Sequence, residues 1–311
     1  MSEIDAPSGS DIKVGCLSWC FHQFSPGSDP SAAIDIIGEL GFDGIELIVL
    51  AREDVESFWT ESRVDALRLQ LDGHGLEVPQ FVMFQPVVAG LASADSGERA
   101  ESLRYFEEGC RLGRLFGAPI VNIVAPWPVA LSGPQPYLPR YYDLPNATAG
   151  DTFHIDIAPG FDWDEVWAGY VEATRACVDC AKSYGLRLTI EHHTHTMIPD
   201  ATSFLRLYEA VGEPDMGYNM DVGWTLSQRE YPPVAIHKTK SQLMNVHMRD
   251  IDGLMRTFVH IGEGVMDFAA VIDTLRDVGY RGYVSLEQDK HDGDMRETCA
   301  RYLALMRECL G

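Results

Sequence analysis

Basic residues are scarce in this chain. Lys and Arg number 24 against 47 Asp and Glu, a formal net charge of −23 over 311 residues. Basic residues cluster nowhere beyond the Lys238–Lys240 pair, so a phosphate backbone or an anionic bilayer meets no cationic face. Nucleic-acid and membrane partners are set aside on that ground. Cysteine is sparse too: Cys16, Cys20, Cys110, Cys177, Cys180, Cys299 and Cys309 are dispersed and odd in number, which excludes a disulfide framework. Cys177 and Cys180 form one C-x-x-C without a second pair, and read as packed thiols. No apolar run reaches the roughly 20 residues of a membrane span. Residues 1–11 lack the basic and apolar regions of a secretion signal. A short disordered tail on a cytoplasmic, reduced protein is expected. Also missing is a Gly-rich phosphate loop: after the first β-rich run come Cys20-Phe21-His22-Gln23-Phe24-Ser25, with no glycine before Gly27. That counts against an open, doubly wound dinucleotide-binding sheet.

Apolar residues are plentiful, at 46%, enough for a large core. Eight short β-rich runs recur: Ile12–Trp19, Gly44–Val49, Glu77–Phe84, Pro119–Ala125, Arg187–His192, Met216–Asp221, Leu243–Met248 and Gly282–Glu287. Amphipathic helical patterns separate or follow them at Ser31–Leu40, Val55–Leu71, Glu98–Phe116, Trp163–Tyr184, Ala201–Val211, Phe268–Val278 and Arg296–Cys309. Trp224–Lys240 is a helical segment broken by Pro232-Pro233. Gly41, Gly75, Gly117, Gly185 and Gly279 each stand where a helix must stop before a strand, a position that favours a left-handed residue. The repeated unit predicts an α/β fold, a single (β/α)8 TIM barrel over residues 12–311. Residues 126–160 break the rhythm with seven prolines and several aromatics. They read as a long insertion loop after the fourth strand, on the face where barrel active sites lie.

Inward residues at the ends of barrel strands meet a common centre. The fifth to eighth runs each place an acid or imidazole there: Glu191, Asp221, His247 and Glu287. Three carboxylates brought so close need a positive charge. Three oxygen donors and one imidazole suit a divalent cation such as Mn2+, Mg2+ or Co2+. Such a cation, chelated by a carbonyl and its neighbouring hydroxyl, stabilises the enediolate formed when a carbon-bound proton leaves. Flanking carboxylates can take and return that proton.

These residues resemble the xylose-isomerase-like (β/α)8 superfamily of sugar isomerases and ketose 3-epimerases. The marks are Gly15-Cys16-Leu17-Ser18-Trp19, Gly41-Phe42-Asp43-Gly44-Ile45-Glu46, Ile190-Glu191, Asp221-Val222-Gly223, His247-Met248-Arg249-Asp250, Gly262-Glu263-Gly264 with Asp267-Phe268, and Ser285-Leu286-Glu287. The resemblance implies that Glu191, Asp221, His247 and Glu287 hold the metal, usually Mn2+, and that Glu191 and Glu287 move the proton. It also implies two departures. Where ketose 3-epimerases carry a His and an Arg for the sugar end, this chain has Trp224 and Gly253, the latter flanked by Arg249 and Arg256. Trp224 offers an apolar platform for a sugar face or an aromatic group.

His193 and the loop residue His154 are candidate acid–base groups, and Arg249, Trp127 and Glu46 candidate substrate contacts. For Glu46 a structural hydrogen bond is the competing expectation. His192 and His195 are read as structural. The chain also resembles the larger subunit of bacterial C-glycoside deglycosidases, which work on 3-oxo-C-glycosides with a small β-rich partner. The expected ligand is a small sugar or glycoside, and the expected state a homo-oligomer or a hetero-oligomer with such a partner. A metal-dependent endonuclease is disfavoured by the charge, and a non-catalytic sugar-binding subunit is the remaining alternative.

Overall fold

The computed structural model describes residues 11–129, 131–132, 156–194, 196–253, 258–288 and 293–311. The proposed disordered tail, apart from Asp11, and most of the insertion loop lie outside them, as do His154, His195 and Arg256.

Eight parallel strands close on themselves: β1 (Lys13–Leu17), β2 (Gly44–Val49), β3 (Phe81–Met83), β4 (Ile120–Val124), β5 (Arg187–Glu191), β6 (Met216–Asp221), β7 (Leu243–Met248) and β8 (Tyr283–Leu286). Each pairs with the next in the chain, and β8 pairs with β1 to close the barrel. The expected fold is therefore the observed one. Buried on nearly every residue, the strands are rich in Val, Ile and Leu, as parallel strands covered on both faces must be. Helices surround them at Ser31–Leu40, Glu61–His74, Ser96–Leu115, Trp163–Ser183, Ala201–Val211, Pro232–Thr239, Phe268–Asp277 and Met295–Leu310. The Phe268–Asp277 helix shows how they attach. Phe268, Val271, Ile272 and Leu275 fall at i, i+3, i+4 and i+7 and are all buried; each contributes about 1.5–3 kcal/mol by leaving water.

Aspartates start many of these helices. Asp95, Asp162, Asp200, Asp267 and Asp294 each accept backbone N–H groups of the first turn, which places part of the acid surplus where the helix dipole favours it. At the other ends, Gly41 (φ 87°) and Gly75 (φ 67°) take the left-handed conformation expected of them, as do the remaining three predicted exits.

Three elements differ from the sequence reading. The pattern over residues 55–71 divides into a π-helical turn, Asp54–Phe58, and a helix that starts only at Glu61. Between them Trp59 leaves the helix to pack edge-on against Phe81 and Phe116, with ring centroids 5.7 and 5.8 Å away. Residues 224–240 form parts of two helices, Val222–Ser227 and Pro232–Thr239, parted at Arg229, whose φ is 65°. The third strand is short: Pro79 lacks a donor, and only an isolated bridge at Glu77 precedes Phe81–Met83. Among the described residues no helix is long and apolar enough to cross a membrane.

Candidate metal centre

The last residues of β5 and β6, the penultimate part of β7 and the residue after β8 converge at the C-terminal mouth. Register explains it: Asp221 lies beside His247 across β6–β7, and Ser285 lies beside His247 across β7–β8, so Glu287 follows one pleat later. One donor atom from each of Glu191, Asp221, His247 and Glu287 falls within 4.8 Å of the others, and all four residues are buried. The set singled out in the sequence is thus brought together.

Each donor is held from behind. Glu191 Oε2 accepts from Asn122 Nδ2 at 3.1 Å and Asn219 Nδ2 at 2.9 Å, leaving Oε1 on the His247 side. Asp221 Oδ1 accepts the Trp224 N–H at 2.9 Å and so caps the Val222–Ser227 helix, which directs Oδ2 elsewhere. His247 Nδ1 lies 2.8 Å from Glu287 Oε2 and 3.4 Å from Glu191 Oε1. Its Nε2 lies 2.9 Å from Glu46 Oε2.

Electrostatics sharpen the picture. Burial alone would depress the His247 imidazole, but the Glu46 and Glu191 carboxylates outweigh it and hold its pKa at about 10. Burial raises Asp221 to about 6, against the pull of Arg249. Glu191 is also penalised by burial, yet the His247 charge brings its pKa below the ordinary value. Among the described residues, four buried carboxylates, Glu46 included, face two positive side chains, His247 and Arg249. Among the described residues, Asp221 Oδ2 and Glu287 Oε2 are buried without a hydrogen bond. Their nearest nitrogens, Arg249 Nε at 2.8 Å from Asp221 Oδ2 and His247 Nδ1 at 2.8 Å from Glu287 Oε2, approach without hydrogen-bond geometry. A divalent cation fits this donor set: it supplies the missing charge and binds these carboxylate oxygens.

The other candidates fall into place around it. Arg249 is buried, with Nε 2.8 Å from Asp221 Oδ2 and Nη2 paired to Glu287. Trp224 is fully buried instead of forming an open platform; its ring lies 4.0 Å from that of His193 and meets Phe258 edge-on at 4.8 Å. His193 is buried beside it. His192 is buried too and pairs with Tyr218 Oη at 2.8 Å, a structural role; burial depresses its pKa to about 4. Trp127 is half-buried at the start of the insertion loop. Glu46 lies behind His247, fully buried, where it makes the structural hydrogen bond.

Sequence reasoning missed the polar layer beneath the donors: Gln80, Asn122, Thr189, Asn219 and Asn245, all buried, with Thr189 bonded to Gln80 and Asn122, and Asn245 to Asn219. A signal existed. Thr189, Asn219 and Asn245 each precede a donor by two residues, so alternation puts them on the same inward face.

With this geometry in hand, the chain can be placed among known proteins. Residues 34–309 match the family described as xylose isomerase-like TIM barrel, and the chain belongs to it. It is similar to an inosose dehydratase of Klebsiella pneumoniae, 28% identical over 181 residues, which are 50% of this chain and 59% of the relative. The chain spans about half the length of the curated relatives it matches. Its fold is like that of D-psicose 3-epimerase from Clostridium cellulolyticum H10, with TM-score 0.74 and 16% identity over 96% of this chain and 99% of that one. It is also like that of a 3-keto-D-glucoside 4-epimerase from E. coli, with TM-score 0.72 and 18% identity over 96% and 100%. At these identities the likeness is one of fold.

Proposed function

We propose that the chain is a divalent-metal-dependent enzyme that removes a proton from the carbon beside a sugar carbonyl, and that it acts as a sugar isomerase or epimerase. The observation that carries this reading is the buried Glu191, Asp221, His247 and Glu287 set, whose negative charge exceeds that of the cationic side chains facing it among the described residues. Relatives named as epimerases and as dehydratases support the reaction class.

The four donors would hold the ion, with Mn2+ favoured and Mg2+ or Co2+ alternatives. When bound, the cation supplies electrophilic stabilisation of the negative charge that develops on a carbonyl oxygen. The protein side chains do the rest. Asn122 and Asn219 fix Glu191 Oε2, which leaves Oε1 to take the carbon-bound proton. Glu287, having taken a proton from solvent, gives it to the opposite face, which inverts the centre, or to the neighbouring carbon, which isomerises the sugar. In the isomerisation the hydroxyl proton passes to the former carbonyl oxygen. Glu191 then releases its proton to solvent. Arg249 lowers the cost of crowding Asp221 and Glu287 together. His193 and Trp224 form one wall beside Asp221, and His193 is proposed as a further acid–base group together with His154.

Incubation in D2O with Mn2+ and either free ketoses or 3-oxo-glycosides tests this. Deuterium should enter at the carbon beside the carbonyl. Glu191→Gln and Glu287→Gln should each reduce turnover about 100-fold or more. If neither change lowers metal content or turnover, the reading fails.

One observation favours a second outcome for the same enolate. Dehydratases appear among the relatives, and a dehydratase expels a leaving group where an epimerase returns a proton. On that reading the chain is the C-glycoside-cleaving subunit of a hetero-oligomer with a small β-rich partner. Aglycone release from a 3-oxo-C-glycoside without any ketose turnover would select it.

A further inference from the structure

We infer that Glu46 is a positioning residue for the metal site: from β2, it fixes the His247 ring from behind so that Nδ1 faces the other three donors. This role rests on the metal-binding reading above. The two ring nitrogens of His247 have different surroundings. Nδ1 faces Glu287 Oε2 at 2.8 Å and Glu191 Oε1 at 3.4 Å. Nε2 faces Glu46 Oε2 at 2.9 Å. A carboxylate only accepts, so the Glu46 contact places a proton on Nε2. The carboxylates facing Nδ1 are those of the proposed metal ligands, so with an ion bound Nδ1 gives up its proton and becomes the ligating nitrogen. Gln80 Nε2 also approaches His247 Nε2, at 3.1 Å, but its shorter bond, 2.7 Å, goes to Glu46 Oε2.

Glu46 is itself well anchored. It is completely buried, and besides His247 it accepts from Gln80 on Oε2 and from Asn245 Nδ2 on Oε1 at 3.0 Å. Three donors on a dry carboxylate fix both its charge and its direction. Glu46 does not ligate in this arrangement, because it lies on the Nε2 side of the ring, away from the other donors. The anchoring continues sideways: Asn245 also donates to Asn219 Oδ1 at 3.1 Å, and Asn219 donates to Glu191. The support of His247 and that of Glu191 are therefore one connected network. A carboxylate behind a metal-binding histidine raises the basicity of the ligating nitrogen and fixes its ring, and removing one commonly weakens metal binding.

The test compares wild type, Glu46→Gln, Glu46→Asp and Asn245→Ala, using Mn2+ affinity by calorimetry and the visible absorption of the Co2+-loaded proteins. Circular dichroism of the metal-free forms checks folding. Glu46→Gln should bind Mn2+ about 10- to 100-fold more weakly and change the Co2+ bands, with partial recovery in Glu46→Asp. Asn245→Ala should show a smaller loss in the same direction, and together with Glu46→Asp it decides the matter should Glu46→Gln not fold. Unchanged Mn2+ affinity and Co2+ bands across the folded variants, alongside tight binding by wild type, would overturn the role of Glu46 alone. No Mn2+ or Co2+ binding by wild type would overturn the metal reading itself and this role with it.

Discussion

Arg249 Nε lies 2.8 Å from Asp221 Oδ2, while another nitrogen of the same guanidinium pairs with Glu287. One buried cation thus bridges two of the three carboxylates proposed to hold a metal, and it lies over the Phe258 ring at 4.4 Å. Replacing it with Met removes the charge and keeps much of the volume. Arg249→Met should destabilise the metal-free protein by about 3–5 kcal/mol, the cost of leaving buried charges without a partner. Urea unfolding in EDTA measures this, and saturating Mn2+ should narrow the gap. Equal stability in EDTA would show that the bridge contributes nothing.

Metal removal gives a second test. A ligand that binds only the folded chain stabilises it by about 2.7 kcal/mol at 100 times its Kd. For a protein of this size that corresponds to a rise of about 4 °C in Tm over the EDTA-treated form. Glu287→Gln should lose most of that rise. A Tm that ignores both Mn2+ and EDTA would count against a resident cation.

Gly223 is tightly confined. A methyl group there would stand 2.8 Å from both Arg249 Cβ and the Phe258 ring, and 3.2 Å from Asp221 Oδ1. None of these is the loose end of a flexible chain, so Gly223→Ala must move Asp221 or Arg249. The expected result is weaker Mn2+ binding with secondary structure retained, read by calorimetry and circular dichroism. Wild-type affinity would show that the turn yields elsewhere.

At the far end of the barrel, Lys13 Nζ and Tyr283 Oη donate to Glu77 at 2.7 and 2.6 Å. The Lys13 bond first, then Tyr283, outweigh burial and hold the carboxyl below its ordinary 4.5. A depressed carboxyl stabilises above its unfolded pKa, and that contribution fades as pH falls through the folded value. Both side chains of the ion pair are about half exposed, so screening limits it to about 0.2–1 kcal/mol. Wild type should exceed Glu77→Gln in Tm at pH 7, with the gap closing below about pH 4.5. A gap independent of pH would mean that charge is irrelevant there.

The parts of this molecule legible in its sequence are those governed by short-range rules. Strand limits at Gly44–Val49, Met216–Asp221 and Leu243–Met248 coincide with the β-rich runs, because burial on both faces requires continuous apolar residues. The four donors were legible since strand ends in a closed barrel share one centre. Long-range contacts defeated the reading elsewhere. Nothing local shows that Trp59 belongs between Phe81 and Phe116, or that Trp224 will be covered by His193 and Phe258. Glu46 was ambiguous for the same reason, since its partner His247 is 201 residues away. Asp250 looked like the tail of a motif. Its carboxylate in fact gathers the backbone N–H groups of Gly262, Gly264 and Met266, which gives the Gly262-Glu263-Gly264 loop its shape.

The order of strands carries a kinetic consequence. Glu46 comes from β2 and Glu287 follows β8, and those strands meet only through β1, where the barrel closes. A half-assembled barrel holding β5 to β7 alone presents Glu191, Asp221 and His247 without Glu287 in front or Glu46 behind. Ion uptake during refolding should therefore lag behind the appearance of helical structure and mark the sealing of the final seam.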